Sequence, residues 1–400
     1  MGLPEPQVLA GRSNVSRVLA RLAHEQFPGQ VDGLENLGRF RSLAVDHLPF
    51  VKSGPDDAGW TDALGVGIID YWRIGWILHA AFVFNDGAVA WDTLALQHAE
   101  ANIFAPLEWN QARAVIEGHF IQSVEEAMSA ARENVNPESE KWAYNPLEGR
   151  PIIDTGSDLI CPTPHFLFAQ LTPTGLYYLG LKHFGRDFGQ AMGDAFEAYV
   201  GVQLSQLEHV DVFGEIPFGK DSMSCDYLLV ASECILLIEC KSGRPDVGSR
   251  LGEEESALDK IKKAVAQLET TAQLIRDRNP SFRNIPNDRP LVGLIVTLEP
   301  HYVVETWSED ILWSPHIPIV DATALDLEIV IGPLAGRHDV GARIRDRIWP
   351  RPPLIGPPRL LSVLEGLEEP YPRNPVSQDA FDRLTDFPAL LALPGVAASD

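Results

Sequence analysis

The sequence predicts an α/β (α+β) protein, in which a mixed β-sheet flanked by helices follows a mainly helical N-terminal domain. Between residues 184 and 331, apolar runs of strand length alternate with longer stretches of helical periodicity. Before residue 135, apolar residues recur mainly at helical spacing. With 400 residues, of which 45% are hydrophobic, the chain is long enough to bury more than one core.

Residues 1–135 are expected to form the helical domain. A first helix is expected over residues 13–23, where Ser13 or Asn14 is a suitable N-cap. A longer helix is expected over residues 107–132, where a proline fits the first turn and apolar side chains share one face. These helices carry no catalytic pattern of acidic, histidine or serine residues, so we expect the chemistry to lie elsewhere.

The most apolar stretch of the chain, residues 64–84, predicts a buried core helix. Asp70 and Arg73 interrupt it near the middle, and charges at that depth are costly in lipid. The first residues have neither a basic start nor an apolar run, so no signal peptide is expected. No membrane association is therefore predicted.

Cysteine is scarce, and no pair has the CxxC spacing of a zinc or redox site. Three of the four thiols lie in apolar runs, where a free thiol behaves as a small hydrophobic group. This pattern fits the reducing cytoplasm, which is the predicted location. The four residues are Cys161, Cys225, Cys234 and Cys240.

Two proline-rich segments complete the predicted domain organisation: a connecting region over residues 136–183 and an Arg/Pro-rich C-terminal extension over residues 332–400. The chain has a formal net charge of −24, which argues against a general nucleic-acid coat protein or a membrane-surface binder. The extension is locally basic. Two roles are open for its arginines, pairing with the chain's many acids or contact with phosphate: Arg343, Arg345, Arg347, Arg351 and Arg359.

The domain over residues 184–331 is expected to begin with a helix, followed by three strands, a long helix and two further strands. Consecutive strands favour antiparallel pairing, and a strand that follows a helix can join in parallel, which gives a mixed sheet. The helices are expected at 190–207 and 253–278, and the strands at 210–216, 224–230, 234–240, 291–297 and 317–320.

The residues that point to chemistry lie on two neighbouring strands. Asp226 opens one apolar strand, and Glu239 and Lys241 end the next on a single face. If residues 232–233 form a two-residue turn, residues whose numbers sum to 465 face each other, and Asp226 lies opposite Glu239. Their Cβ atoms would then be about 5 Å apart. Two carboxylates this close repel unless a divalent cation such as Mg²⁺ lies between them.

An acid on one strand and an E-x-K at the end of the next resembles the PD-(D/E)XK nuclease superfamily, which has the restriction-endonuclease-like fold. The resemblance covers about residues 184–322. Asp226 takes the place of the family's first metal-binding acid, and Glu239-Cys240-Lys241 matches its E-x-K. The resemblance implies a restriction-endonuclease-like core.

Two helices extend the resemblance. Glu197, in the stretch Gly-Asp-Ala-Phe-Glu-Ala-Tyr-Val, resembles the acid on the family's first core helix, and Gln267 resembles the glutamine found in several branches. The chain departs from the family pattern at two positions. Thr271 stands where a tyrosine is common in the family, and Cys225 stands where the family has a proline before the aspartate.

The resemblance also implies a cofactor, Mg²⁺ with Mn²⁺ as a substitute. Its implied ligands are Asp226, Glu239, Glu197 and the backbone carbonyl of Cys240, while Lys241 and Gln267 complete the implied catalytic set.

These residues predict a metal-dependent nuclease that hydrolyses phosphodiester bonds. The resemblance favours a DNA endonuclease over an enzyme acting on RNA, in a restriction or anti-phage defence setting. The alternative is a catalytically inactive nuclease-like module that binds nucleic acid or a partner protein. An active enzyme this acidic would draw on a basic partner subunit or a homo-oligomer to approach its substrate.

For the other charged residues of this domain, either two roles remain open or a purely structural role is expected. Lys260 and Lys263 share a helix side with Gln267, and either contact phosphate or form a solvated face. Further acids are expected to be surface or turn residues: Glu208, Glu215 and Glu233.

Overall fold

A computed structural model describes residues 34–133, 145–220, 222–243, 254–300, 312, 314, 316–348 and 359–386. Over these residues the protein is a mixed α/β structure with thirteen helices and two mixed sheets. The described residues from 34 to 191 and from 379 to 386 form one compact unit, the first unit. Those from 192 to 378 form another, the second unit. The helix expected over residues 13–23 lies outside the described residues.

The first unit is mainly helical, as the sequence predicts, but it also contains a small sheet. Strands β1–β4 are short and lie in the order β1-β4-β3-β2, with β2 and β3 parallel and the other pairs antiparallel. The strands are β1 (Ala88–Val89), β2 (Ile121–Ser123), β3 (Ile152–Asp154) and β4 (Leu159–Ile160). The helices are α1 (Leu34–Arg41), α2 (Asp57–Leu64), α3 (Ile68–Phe84), α4 (Trp91–Ala101), α5 (Trp109–His119), α6 (Val124–Glu133), α7 (His165–Gln170), α8 (Pro173–Phe184) and the start of α9 (Arg186–Leu204).

The predicted single helix over residues 107–132 is wrong, because β2 divides it into α5 and α6. Ile121 pairs with Ile152 of β3, and the pairing buries this β-branched residue in the sheet. Ser123 then begins α6 with a capping box: its hydroxyl accepts from the amide of Glu126, whose carboxylate accepts from the amide of Ser123.

Helix α3 is the buried core helix that the sequence predicts. Trp72 is fully buried and stacks on Trp76, and its indole nitrogen donates to the carbonyl of Leu171 at 3.2 Å. Residue 75 of α3 is a glycine, and the side chain of Leu171 packs close against it. A Cβ at this position would lie 2.6 Å from that side chain. In the described part of the chain, no helix combines the length and apolarity needed to cross a membrane.

The proline-rich segment expected as a connection over residues 136–183 belongs to the first unit from residue 145 onwards. It contributes two strands and two helices, because its prolines lie between or at the start of these elements rather than inside them. Pro173, for example, occupies the first turn of α8.

The second unit contains a five-stranded mixed sheet in the sequence order β5-β6-β7-β8-β9. The pairs β5–β6 and β6–β7 are antiparallel, and β7–β8 and β8–β9 are parallel. The strands are β5 (Asp211–Phe213), β6 (Tyr227–Val230), β7 (Ile235–Lys241), β8 (Leu291–Thr297) and β9 (Ile319–Thr323). The helices after α9 are α10 (Glu254–Arg276), α11 (Ala324–Leu334), α12 (Val340–Ile348) and the start of α13 (Pro375–Thr385).

Helix α10 covers one face of this sheet and forms a hydrophobic core with it. Alternate residues of β6 and β7, such as Leu228 and Leu237, pack with α10 residues such as Ile261 and Leu268. The resulting arrangement is the mixed sheet flanked by helices that the sequence predicts, with each strand within a few residues of its expected place.

The described residues of the predicted C-terminal extension belong to the second unit up to residue 378. The three arginines of α12 in this segment pair within the protein. Arg343 donates to Asp339 at 2.9 Å and to the carbonyl of Val363 at 3.1 Å, and Arg347 forms an ion pair with Glu365. These contacts favour the intramolecular role for this part of the basic segment, while Arg351 lies outside the described residues.

Candidate functional site

The turn between β6 and β7 sets the geometry of the site. The amide of Ala231 donates to the carbonyl of Cys234 at 3.0 Å, which closes a two-residue turn at residues 232–233. The residue numbers of paired residues, such as Tyr227 and Ile238, therefore sum to 465, and the predicted register is confirmed. The next pair in this register places Asp226 opposite Glu239.

Asp226 is held in place by the neighbouring strand. Its carboxylate Oδ2 accepts a hydrogen bond from the backbone amide of Cys240 at 2.6 Å, and only 7% of the residue is exposed. Burial raises the pKa of Asp226, while the Cys240 amide and the charge of Lys241 act in the opposite direction. The residue between the glutamate and lysine of the E-x-K therefore positions the aspartate through its backbone.

Glu239 is almost completely buried, with 1% exposure, and its two oxygens differ. Oε1 accepts from Nζ of Lys241 at 2.5 Å, whereas the buried Oε2 has no hydrogen-bond partner. Burial and then repulsion by Asp226 raise the pKa of Glu239 to about 7. A buried carboxylate oxygen without a partner is costly, and a cation would satisfy it.

Glu197 lies on α9 and faces the same charges. The backbone carbonyl of Glu197 accepts from the hydroxyl of Tyr227 at 3.0 Å, which fixes this turn of α9 against β6. Burial raises the pKa of Glu197 to about 7, and the charges of Asp226 and Glu215 add to the effect. The structure thus brings Glu197 into electrostatic contact with Asp226 and Lys241, as the resemblance implies.

Gln267 does not hydrogen-bond to the carboxylates. Its amide donates to the carbonyl of Ser224 at 2.9 Å, and Thr271, one turn later on α10, accepts from the amide of Cys225 at 2.9 Å. Both side chains therefore hold the backbone that leads into Asp226. The structure gives Gln267 a positioning role, with Thr271 as its companion in the place where a tyrosine is common.

Glu215 is an exposed residue outside the strands, as the sequence predicts, and its charge also acts on this group. Its pKa is raised by burial and by Asp226 and lowered by Lys241, so its carboxylate faces the same site. The residue numbers of the β5–β6 pairs sum to 441, but those of the bridge beyond them, Pro217 with Met223, sum to 440, so the register shifts by one residue along this segment. The interaction of Glu215 with Asp226 therefore does not follow from the strand register.

A second lysine lies near the end of β7. Lys260 of α10 is so close to Gly243 that a Cβ at this glycine would lie 2.6 Å from its Nζ. Lys260 and Lys263 are exposed, so both are accessible to a ligand. Positive charge on α10 therefore lies beside the strand that carries Lys241.

The donor set suits a cation with few protein ligands. Among the described residues, no group of three or more His, Cys, Asp or Glu side chains is arranged to enclose a metal ion. Mg²⁺ is commonly held by one or two carboxylates and keeps several waters, so the buried pair Asp226 and Glu239 is sufficient for it. The unpartnered oxygen of Glu239 is the feature of this structure that a metal ion fits.

Comparison of the chain with protein-family models, curated proteins and solved structures finds no match. The function must therefore be inferred from the site's own residues. Its distinguishing features are two buried, mutually repelling carboxylates, a lysine bound to one of them, and two further acids that face the same charges.

Proposed function

We propose that this protein is a metal-dependent nuclease with a restriction-endonuclease-like core, using Mg²⁺, with Mn²⁺ as a substitute. One observation carries the proposal: Glu239 and Asp226 repel each other in a buried site, and one Glu239 oxygen lacks any hydrogen-bond partner. An arrangement that destabilises the empty site is expected where a cation binds.

The topology supports the same proposal. The E-x-K ends an apolar strand, the aspartate precedes the antiparallel strand beside it, and the helix before both carries Glu197. Helix α10 then returns over the sheet and leads into a parallel strand. This combination of elements and acids is much more specific than an isolated E-x-K.

The proposed roles follow from these positions. Asp226, Glu239 and the Cys240 carbonyl would hold the cation, and Glu197 would add negative charge near it. When bound, Mg²⁺ supplies positive charge that stabilises the attacked phosphate. Lys241, fixed on Glu239, adds a second positive charge where phosphate oxygens would lie. In the overall reaction a water oxygen joins phosphorus, one P–O ester bond breaks, and a proton goes to the leaving oxygen.

DNA is the proposed polymer, and a restriction or anti-phage defence role is the proposed setting, both by analogy with the superfamily. The protein's negative charge and the internal pairing of Arg343 and Arg347 favour help from a basic partner subunit or a second copy. The same observations favour the alternative function, an inactive nuclease-like module that binds nucleic acid or a protein.

A cleavage assay separates the two functions. Plasmid DNA and a folded RNA are incubated with the purified protein in Mg²⁺, in Mn²⁺ and in EDTA. The proposal predicts cleavage of DNA with either metal, none in EDTA, and none by Asp226→Asn. Glu208→Gln, which changes an exposed glutamate of the same unit, is the matched control and should cleave normally.

Each result has a defined meaning. Cleavage of RNA alone would identify RNA rather than DNA as the substrate. Binding without cleavage in both metals would favour the inactive module. Full activity of Asp226→Asn would show that the site is wrong even if the protein is a nuclease.

A further inference from the structure

The first unit contains a group of basic side chains that the proposed nuclease chemistry does not use. We call it the basic cluster; its members are His119, Arg150, Lys182 and His183. The imidazole rings of His119 and His183 have centroids 5.7 Å apart, and Arg150 donates through Nη2 to the carbonyl of Gly118 at 3.1 Å. Residues distant in sequence thus converge at the last turns of α5 and α8.

Two nitrogens of the basic cluster are buried without a hydrogen-bond partner, Nδ1 of His119 and Nε2 of His183. The backbone carbonyl of Leu64 favours the protonated form of His119 but does not satisfy Nδ1. Across the described residues, none of the four side chains forms an ion pair with an acid. That is unusual in a chain with a net charge of −24.

The members of the basic cluster also oppose one another's charges. Burial and then Lys182 and His183 lower the pKa of His119 to about 4. The pKa values of His183 and Lys182 are lowered as well, by burial first and then by Lys182 and Arg150 respectively. The groups are therefore assembled in a position where their protonated forms are disfavoured.

Basic residues in the last turn of a helix often compensate its C-terminal carbonyls, and α5 and α8 both end here. That function alone does not account for the cluster. Helix carbonyls favour the protonated form of a nearby histidine, whereas the pKa values of His119 and His183 are lowered. Compensation of the helix ends also leaves two buried imidazole nitrogens without a hydrogen-bond partner. The basic cluster therefore lacks a negatively charged group that would balance its charges and bind its unpartnered nitrogens.

We propose that the basic cluster binds the dianionic phosphate of a phosphate monoester. A guanidinium, an ammonium and two imidazoles supply several donors and more than one positive charge in one place, which matches a dianion better than a singly charged phosphodiester or carboxylate. A transition-metal ion would also suit two imidazoles, but the neighbouring Arg150 and Lys182 would repel it. The monoester can come from a free nucleotide or from the 5′ end of a nucleic-acid strand.

Binding should depend on pH through His119. The groups that face its ring are His183, Lys182, Arg150, the edge-on ring of Tyr71 and the Leu64 carbonyl, and none of them is an acid. A bound dianion raises the pKa of His119, so the complex takes up a proton. Affinity for the nucleoside monophosphate should therefore increase by roughly 2-fold from pH 8 to pH 7, a range in which the monoester, with a second pKa of about 6, remains mainly a dianion.

The test is calorimetric titration of the full-length protein in EDTA, which keeps divalent metal out of the second unit. The probes are inorganic phosphate, a nucleoside 5′-monophosphate, and one oligonucleotide with either a 5′-phosphate or a 5′-hydroxyl. Lys182→Gln changes an exposed side chain and should weaken binding by about ten-fold, as should Arg150→Gln. Arg113→Gln, which removes an arginine already paired with Glu117, is the matched control and should bind normally.

Saturable binding of a monoester that Lys182→Gln weakens and lower pH strengthens supports the proposal. Preference for the mononucleotide identifies a free nucleotide as the source, and preference for the 5′-phosphorylated over the 5′-hydroxyl strand identifies a strand end. Binding of both oligonucleotides as tightly as the mononucleotide and without regard to the 5′-phosphate, unchanged affinity in both variants, or no saturable binding of any probe would overturn it. None of these outcomes depends on nuclease activity.

Discussion

Replacing Glu239 with glutamine should stabilise the metal-free protein. Glu239→Gln keeps an acceptor for Lys241 and the shape of the side chain, but it removes the charge that repels Asp226. The folded-state pKa of Glu239 is about 7, against an ordinary value of 4.5. This difference corresponds to about 3 kcal/mol of folding free energy, which is the upper limit of the gain.

The sign of the pH dependence follows from proton binding. Between pH 4.5 and about 7, the folded protein holds a proton on Glu239 that the unfolded chain has released. The free energy of unfolding of the wild type therefore falls as pH rises through this window, and that of Glu239→Gln falls less, because Glu197 still titrates there with a raised pKa of about 7. The stabilisation should be large at pH 8 and almost absent at pH 5.

Urea unfolding in EDTA at pH 5 and pH 8 measures this difference, with the exposed Glu208→Gln as the control. If Glu239→Gln is no more stable than the wild type at pH 8, or equally stabilised at both pH values, the buried carboxylate pair is not repulsive. The argument for a cation at this position would then fail.

Three further predictions concern the surroundings of the site. Gln267→Leu removes the hydrogen bond to the loop before the site and should cost about 1 kcal/mol in unfolding free energy, with a larger relative loss in kcat than in substrate binding; equal losses would contradict a positioning role. Glu215→Gln removes a nearby negative charge and should weaken Mg²⁺ binding several-fold in a metal titration, whereas unchanged affinity would show that the charge of this exposed residue does not act on the cation. Changing Arg343, Arg345 and Arg347 together to glutamine should leave the slope of log DNA affinity against log salt unchanged, because these arginines pair internally; a slope flatter by about two to three units would assign them to phosphate contact.

The sequence was sufficient to predict the part of the fold that is governed by apolar runs. The strand β8 has the expected bounds, and the register of β6 with β7 follows from a two-residue turn between two buried strands. A shift of one residue would turn the apolar side chains of both strands away from α10, so burial specifies the register strongly.

Short elements could not be predicted in this way. Strand β2 has only three residues, and its stability comes from pairing with β3, about thirty positions further along the chain. The S-x-x-E capping box at Ser123 marks a helix start in the sequence, but it lies within a longer stretch of helical periodicity that conceals it. Long-range pairing and overlapping local signals account for this error.

In the candidate site, the backbone contacts were the unpredictable component. Residue types and spacing identified the acids and the lysine, but not that the Cys240 amide holds Asp226 or that Gln267 bonds to Ser224. Those contacts depend on the path of the chain before β6, which leaves regular strand geometry. The contribution of Glu215 depends on the same irregular segment.

Direct measurement of Mg²⁺ binding tests the central claim, that Asp226 and Glu239 share a divalent cation. Calorimetric titration of the wild type at pH 8 should show saturable binding, and Asp226→Asn and Glu239→Gln should each lose it while remaining folded. The melting temperature should rise with Mg²⁺ in the wild type and stay constant in both variants. Equal Mg²⁺ affinity in the wild type and either variant would contradict the claim, because the cation would then bind without the carboxylate that the proposal requires.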